Sequence, residues 1–132
     1  MENEILEKKS GESMSIDRVR FVEKHLKVKL PSDYATFLST FGDYEMEGFE
    51  IYGYNEAYQD INKIPCVIGA TKLYAQDYNL DLHQIVIAHS GFEDFIVILD
   101  TKTNEIFEKS TTGKVNPIAK NFHSWFESIR SK

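Results

Sequence analysis

The stretch that most constrains this chain runs from Leu30 to Gly42. Pro31 supplies the fixed φ that suits a first helical turn, Asp33 suits the positive end of a helix dipole, and Gly42 is the permissive residue a helix needs to stop. The pattern predicts a helix from about Pro31 to Phe41. Within it Tyr34, Phe37, Leu38 and Phe41 fall at i, i+3, i+4 and i+7, which puts four bulky groups on one face directed at a core.

The rest of the chain can supply that core. At 132 residues, with 42% hydrophobic and 27% charged side chains, it has the size and composition of one ordinary globular domain, and no tract has the composition of disorder. Residues 1–14 are polar, carry Gly11 and repeat too few apolar groups to fix a structure, so they are expected to be an arm or a short helix, with the domain proper spanning 15–132. From Ser15, a candidate N-cap, the residues Ile16, Val19, Val22 and Leu26 recur at helical spacing and predict a surface helix with one buried stripe.

After Gly42 the period changes. Phe49, Ile51 and Gly53 alternate with Glu50 and Tyr52, which predicts a strand. Ala70, Leu73, Tyr74 and Tyr78 return to helical spacing, with Asn79 as the terminator. Ile85–Ala88 and Phe95–Leu99 are short β-branched runs joined by His89-Ser90-Gly91-Phe92-Glu93-Asp94, and Glu105–Lys109 follows a second turn, which gives a meander of three strands. Pro117 is expected to open a last helix with Ile118, Phe122, Trp125, Phe126 and Ile129 facing the core. The predicted class is α+β, a single domain with a mainly antiparallel sheet surrounded by N-terminal, middle and C-terminal helices.

Charge argues about partners. The net charge of −6 has the wrong sign for gripping a phosphate backbone, so direct nucleic-acid binding is not expected. Ile5 and Leu6 are flanked by Glu4 and Glu7, which leaves no apolar core for a secretory signal, and no run approaches membrane-spanning length. With Cys66 as the only cysteine, a disulfide framework is excluded and the cytoplasm is the expected compartment.

Catalytic patterns are weak. His25, His83, His89 and His123 are far apart, and none has a His or Cys at the spacing that places two ligands on one metal, so no metal or other cofactor is expected. His89, Ser90 and Asp94 are the residue types of a hydrolytic triad, but a nucleophile elbow needs glycines two residues either side of the serine, where Ser90 has Ala88 and Phe92. Cys66, after Pro65 in an apolar run, reads as a buried inert thiol. The expectation is that the chain is not an enzyme.

No Lys or Arg occurs from Pro31 to Asn62, and none from Leu73 to Thr101. The first of these stretches holds Asp43, Glu45, Glu47, Glu50, Glu56 and Asp60 together with Tyr44, Tyr52, Tyr54 and Tyr58, and the second adds Glu93 and Asp94. One reading is a solvated loop and edge strand whose tyrosines pack into the core. The other is a recognition surface, in which tyrosines give rigid contact area and carboxylates steer a basic protein to association rates on the order of 10⁸ M⁻¹s⁻¹ at low salt. These twelve residues are the candidate partner-binding set.

From Ile16 to Ile129 the order of motifs resembles the SUKH superfamily, which includes fungal Smi/Knr-type cell-wall regulators and many bacterial immunity proteins. The resemblance rests on Val22-Glu23 and Leu26, Leu30-Pro31-Ser32-Asp33-Tyr34 with Phe37-Leu38 and Gly42, Ile51-Tyr52-Gly53, Ile85-Val86-Ile87-Ala88, Gly91, Phe95–Asp100, and the closing Ile118-Ala119, Phe122 and Trp125. The sequence departs from the pattern at Glu93, where a glycine is expected. The resemblance implies helices around a mainly antiparallel sheet, no catalysis, and a protein partner. For the bacterial members that partner is the toxin domain of a secreted polymorphic toxin, often a nuclease; for the fungal ones the role is that of a regulatory scaffold.

Overall fold

The computed structural model describes residues 17–131. The expected arm of residues 1–14, the candidate N-cap Ser15 and Ile16 lie outside the described residues. Helix α1 occupies residues 17–26 and ends where Lys27 turns to φ 57° and donates its N–H to Glu23 O at 2.8 Å. Helix α2, Ser32–Thr40, follows Pro31 in extended geometry, and Gly42 at φ 79° closes it by donating to Leu38 O at 3.0 Å. The stop and start signals read from the sequence act as the backbone requires.

Six strands form one antiparallel meander whose order in space is their order in sequence. They are β1 (Tyr44–Met46), β2 (Phe49–Ile51), β3 (Gln84–His89), β4 (Ile96–Asp100), β5 (Ile106–Lys109) and β6 (Val115–Ala119). Helix α3, Val67–Tyr74, sits between β2 and β3 in the chain, and α4, Phe122–Arg130, closes it. Ile85 through Ala88 and Ile96 through Leu99 are all buried. Successive strand residues point to opposite faces, so the middle of the sheet is covered on both sides. Thr71 of α3 is hydrogen-bonded to it directly, its Oγ1 accepting from Val86 N at 2.9 Å.

Three expectations are corrected here. Pro117 does not open a helix but lies in β6, an edge strand, where a residue without an N–H is tolerated. Ile118 accordingly faces outward at 39% exposure, and the last helix begins only at Phe122, capped by Asn121 Oδ1 accepting from Ser124 N at 2.8 Å. Helix α3 starts at Val67 rather than Ala70 and ends at Tyr74, and Leu73 lies off its buried face at 60% exposure. Val67, Ile68 and Ala70 are its buried groups, and at Gly69 a Cβ would stand 2.4 Å from Lys63 N, so the helix runs hard against the preceding loop. The sheet has six strands rather than the four expected, because β1 is only three residues long and β6 carries polar residues and a proline that mask its alternation.

The aromatic face of α2 meets that of α4. Tyr34 approaches Phe122 edge-on with ring centres 5.1 Å apart, and Phe37 meets Phe126 in the same way at 5.1 Å. Phe41, at the margin, is roofed by the Arg130 guanidinium at 5.6 Å. The Tyr34 hydroxyl, fully buried, donates to Tyr52 O at 2.8 Å and so ties α2 to the segment after β2.

Asp33 makes the polar counterpart of this contact. Its carboxylate accepts from Asn104 Nδ2 at 2.9 and 3.0 Å and from His123 N at 2.9 Å. Asn104 in turn accepts from Phe122 N at 3.4 Å. The free N–H groups of the first turn of α4 are thus satisfied by side chains from α2, the β4–β5 turn and Asn121. Arg18 performs a similar task at the other end of α2, donating to Leu38 O at 3.0 Å while pairing with Glu56 at 3.1 Å. Beyond β2, Gly53 passes so close to Gly42 that an added Cβ would lie 1.7 Å from Gly42 O, which leaves no room for any other residue.

Two stability predictions follow from this packing. Asp33→Ala leaves the His123 N–H and the Asn104 amide without their acceptor, and is expected to lower unfolding free energy by about 2 kcal/mol. Phe37→Ala opens a cavity between α2 and α4 and is expected to cost about 3–5 kcal/mol. Urea titration with an unchanged slope and a shifted midpoint checks both.

Candidate functional site

The turns at one end of the sheet gather four exposed carboxylates, Glu45, Glu47, Glu50 and Glu93. Strands β1 and β2 are joined by Glu47-Gly48, with Met46 paired to Phe49 across the turn. Glu47 has φ 52° and Gly48 φ 85°, the two positive values of a type I′ turn. Tyr44, Met46, Phe49 and Ile51 face the interior, so Glu45 and Glu50 point outward directly opposite one another. Beside the Glu47–Glu50 edge, across a hollow of about 320 Å³, stand His89 and Gly91 of the β3–β4 loop. Glu93 lies in the same loop, exposed.

These carboxylates are held against local preference. Two glutamates facing each other across a strand pair repel. A β-carbon residue in the left-handed region costs about 1 kcal/mol or more relative to its ordinary backbone. Glu47 sits there, where Asn or Gly would be unstrained, and so does Glu93 at φ 51°. Glu93 therefore adopts the conformation that the missing glycine would have supplied.

The other candidates are committed to structure. Asp43 accepts from Asn55 Nδ2 at 3.0 Å and from the Tyr58 hydroxyl. Tyr58 is half-buried; burial and that hydrogen bond raise its pKa well above the tyrosine range. Tyr54 stacks on Phe21 of α1 at 4.5 Å. Tyr44 packs edge-on against Phe126 at 5.1 Å. Tyr52, at 4% exposure, belongs to the core, and burial pushes its pKa up to about 12. Glu56 pairs with Arg18; burial, the largest influence, raises its pKa, but the Arg18 hydrogen bond and charge outweigh it and leave the group below the usual value. Asp60 accepts from Asn62 N at 2.9 Å within its own loop. Asp94 accepts from the Thr111 hydroxyl and from Thr111 N at 2.9 Å, which fastens the β3–β4 loop to the β5–β6 turn and lowers the acid's pKa.

The structure thus brings Glu45, Glu47, Glu50 and Glu93 to one solvent-facing end, and separates them from most of the tyrosines. The apolar partner in this region is Phe92, 61% exposed in the loop next to Glu93. A large aromatic side chain set among Ser90, Gly91, Glu93 and Asp94 was the sequence signal for it.

The residues of the imagined triad are engaged elsewhere. His89 Nδ1 accepts from Gly91 N at 3.0 Å, Ser90 Oγ accepts from Phe92 N at 3.1 Å, and Asp94 holds Thr111. Burial pushes the Cys66 thiol up, away from the thiolate form a nucleophile needs. Among the described residues no group of three His, Cys, Asp or Glu is placed to hold a metal ion, and no helix is long and apolar enough to cross a membrane.

No curated protein matches the chain. A family model described as SMI1-KNR4 cell-wall, of the SUKH type, matches residues 2–130. The helices around an antiparallel meander, the Leu-Pro-x-Asp-Tyr element that anchors two of them, and this match over nearly the whole length place the chain in the SUKH superfamily.

Proposed function

We propose that this chain is an immunity protein that binds and neutralises a cognate secreted toxin domain by covering it, and that the toxin is a basic protein, most simply a nuclease. The reading is supported by family membership together with one observation: Glu45, Glu47, Glu50 and Glu93 are exposed at one end of the sheet, all four in arrangements that destabilise the fold locally. Strain kept at surface positions with no structural return is the pattern expected where a partner supplies the return. The protein acts in the cytoplasm, contacts neither membrane nor nucleic acid directly, and performs no catalysis. Because Tyr52 serves the core, contact area comes from Phe92 and its surroundings rather than from that ring.

The family description, with its reference to the cell wall, keeps a second reading in view: a regulatory scaffold with several weak partners. Affinity separates the two. A neutralising complex buries about 1,600 Å² or more and binds at nanomolar strength, whereas a scaffold makes micromolar contacts.

The direct test is coexpression with the toxin-like product of the neighbouring reading frame. Protection of cells and a nanomolar complex are expected; a neighbour that is neither toxic nor bound would overturn the proposal. Reversing charge at Glu45, Glu47 and Glu50 together is expected to slow association roughly tenfold at low salt with little change in dissociation. Glu47→Asn and Glu93→Gly should each stabilise the free protein by about 1 kcal/mol, read from thermal or urea unfolding, while weakening the complex.

A further inference from the structure

A groove of about 590 Å³ opens between α4, the β1–β2 hairpin and the β5–β6 edge. Its floor follows one row across the sheet, in which Val97 pairs with Glu108 and Glu108 with Asn116. Val97, Trp125 and Ile129 form the deep side, all at 9% exposure or less. Phe49, which meets Trp125 edge-on at 6.1 Å, and the exposed Ile118 form its walls.

The ionisable groups lining this hollow are both carboxylates, Glu47 and Glu108. Among the described residues the ion pairs are Arg18–Glu56, His83–Asp100 and Arg130–Glu127, so neither lining carboxylate is neutralised by them. The adjoining hollow shares Glu47 and Phe49 with the groove and adds Glu50 on the same side, with His89 facing them across it. An apolar deep side bordered by two carboxylates is complementary to an aliphatic or aromatic side chain flanked by Lys or Arg.

The outer edge of β6 does not favour strand addition. Pro117 interrupts its row of N–H groups, and the register shifts between Ile106 and Phe107 opposite it. An occupant therefore engages the groove through side chains rather than by extending the sheet.

We infer that this groove receives a segment of a partner protein in which an apolar anchor, inserted beside Trp125, is flanked by basic residues that meet Glu47 and Glu108. The inference rests on the binding role proposed above and gives it a location: the strained glutamate of the hairpin turn becomes the lip of the socket. Ile118, brought to the surface because Pro117 lies in a strand rather than a helix, becomes part of its wall.

The probe is a random 12-residue peptide library displayed on phage and selected against the full chain. Selected sequences are then synthesised and titrated while the Trp125 indole and the Val97, Ile118 and Ile129 methyl resonances are followed. Expected are peptides with one or two large apolar residues beside Lys or Arg, shifts centred on those four residues, and at least a roughly tenfold loss of affinity in an E47K/E108K double variant that melts as a folded protein. Enrichment of acidic or uncharged peptides, shifts confined to another face, unchanged affinity in the double variant, or no enrichment would each overturn the assignment. So would a dimer in sedimentation that E47K/E108K dissolves, or contacts from the Trp125 indole to residues 1–16, since the groove would then belong to a second copy or to the chain itself. Toxin neutralisation undiminished by E47K/E108K would leave the proposed function standing and remove this site from it.

Discussion

One carboxylate joins three parts of the molecule that are far apart in sequence. Asp33 starts α2, yet its oxygens are occupied by the turn between β4 and β5 and by the first turn of α4. Without such an acceptor the amino end of α4 would lose the charged partner that holds its first turn against α2 beside the aromatic cluster. With it, Tyr34, Phe37, Phe122 and Phe126 can close on one another, and the sheet acquires its helical cover. The aspartate and tyrosine of the Leu-Pro-x-Asp-Tyr element thus divide the work, one fixing α4 and the other reaching the backbone of Tyr52.

What the sequence disclosed follows from how locally each feature is determined. The α2 face, the β3 and β4 runs and the positive-φ stop at Gly42 depend on neighbours within a turn or two, and they are where expected except that Phe41, at the end of the face, is left 38% exposed. The errors arose where distant structure decides. Pro117 is a good first helical residue by its own chemistry, but β5 offers it a strand edge instead. Leu73 has helical spacing from Ala70, but the face that is covered is the one carrying Val67, Ile68, Gly69, Ala70 and Thr71, packed hard against the loop at Asn62, and Leu73 falls beyond its margin.

The candidate surface divides in the same way. Exposed carboxylates could be read from the absence of Lys and Arg, because charge leaves water only with a partner. Which of them had a partner could not. Asp43 finds Tyr58, Glu56 finds Arg18 and Asp94 finds Thr111, across separations of 15, 38 and 17 residues. The tyrosines went mostly the other way, since a ring large enough for an interface is equally suited to filling a small domain's core. Phe92, in a tight polar loop, is left 61% exposed, well beyond Phe41 at 38%.

The two margins of the sheet carry one more implication. At one side β1 offers only three residues with a glutamate at their centre; at the other, β6 carries a proline and an uneven register. Neither border is a good template for another chain's backbone, so this six-strand layer disfavours the edge-to-edge pairing through which crowded β-proteins aggregate. Guarded flanks of this kind leave the sheet's own backbone closed to another copy.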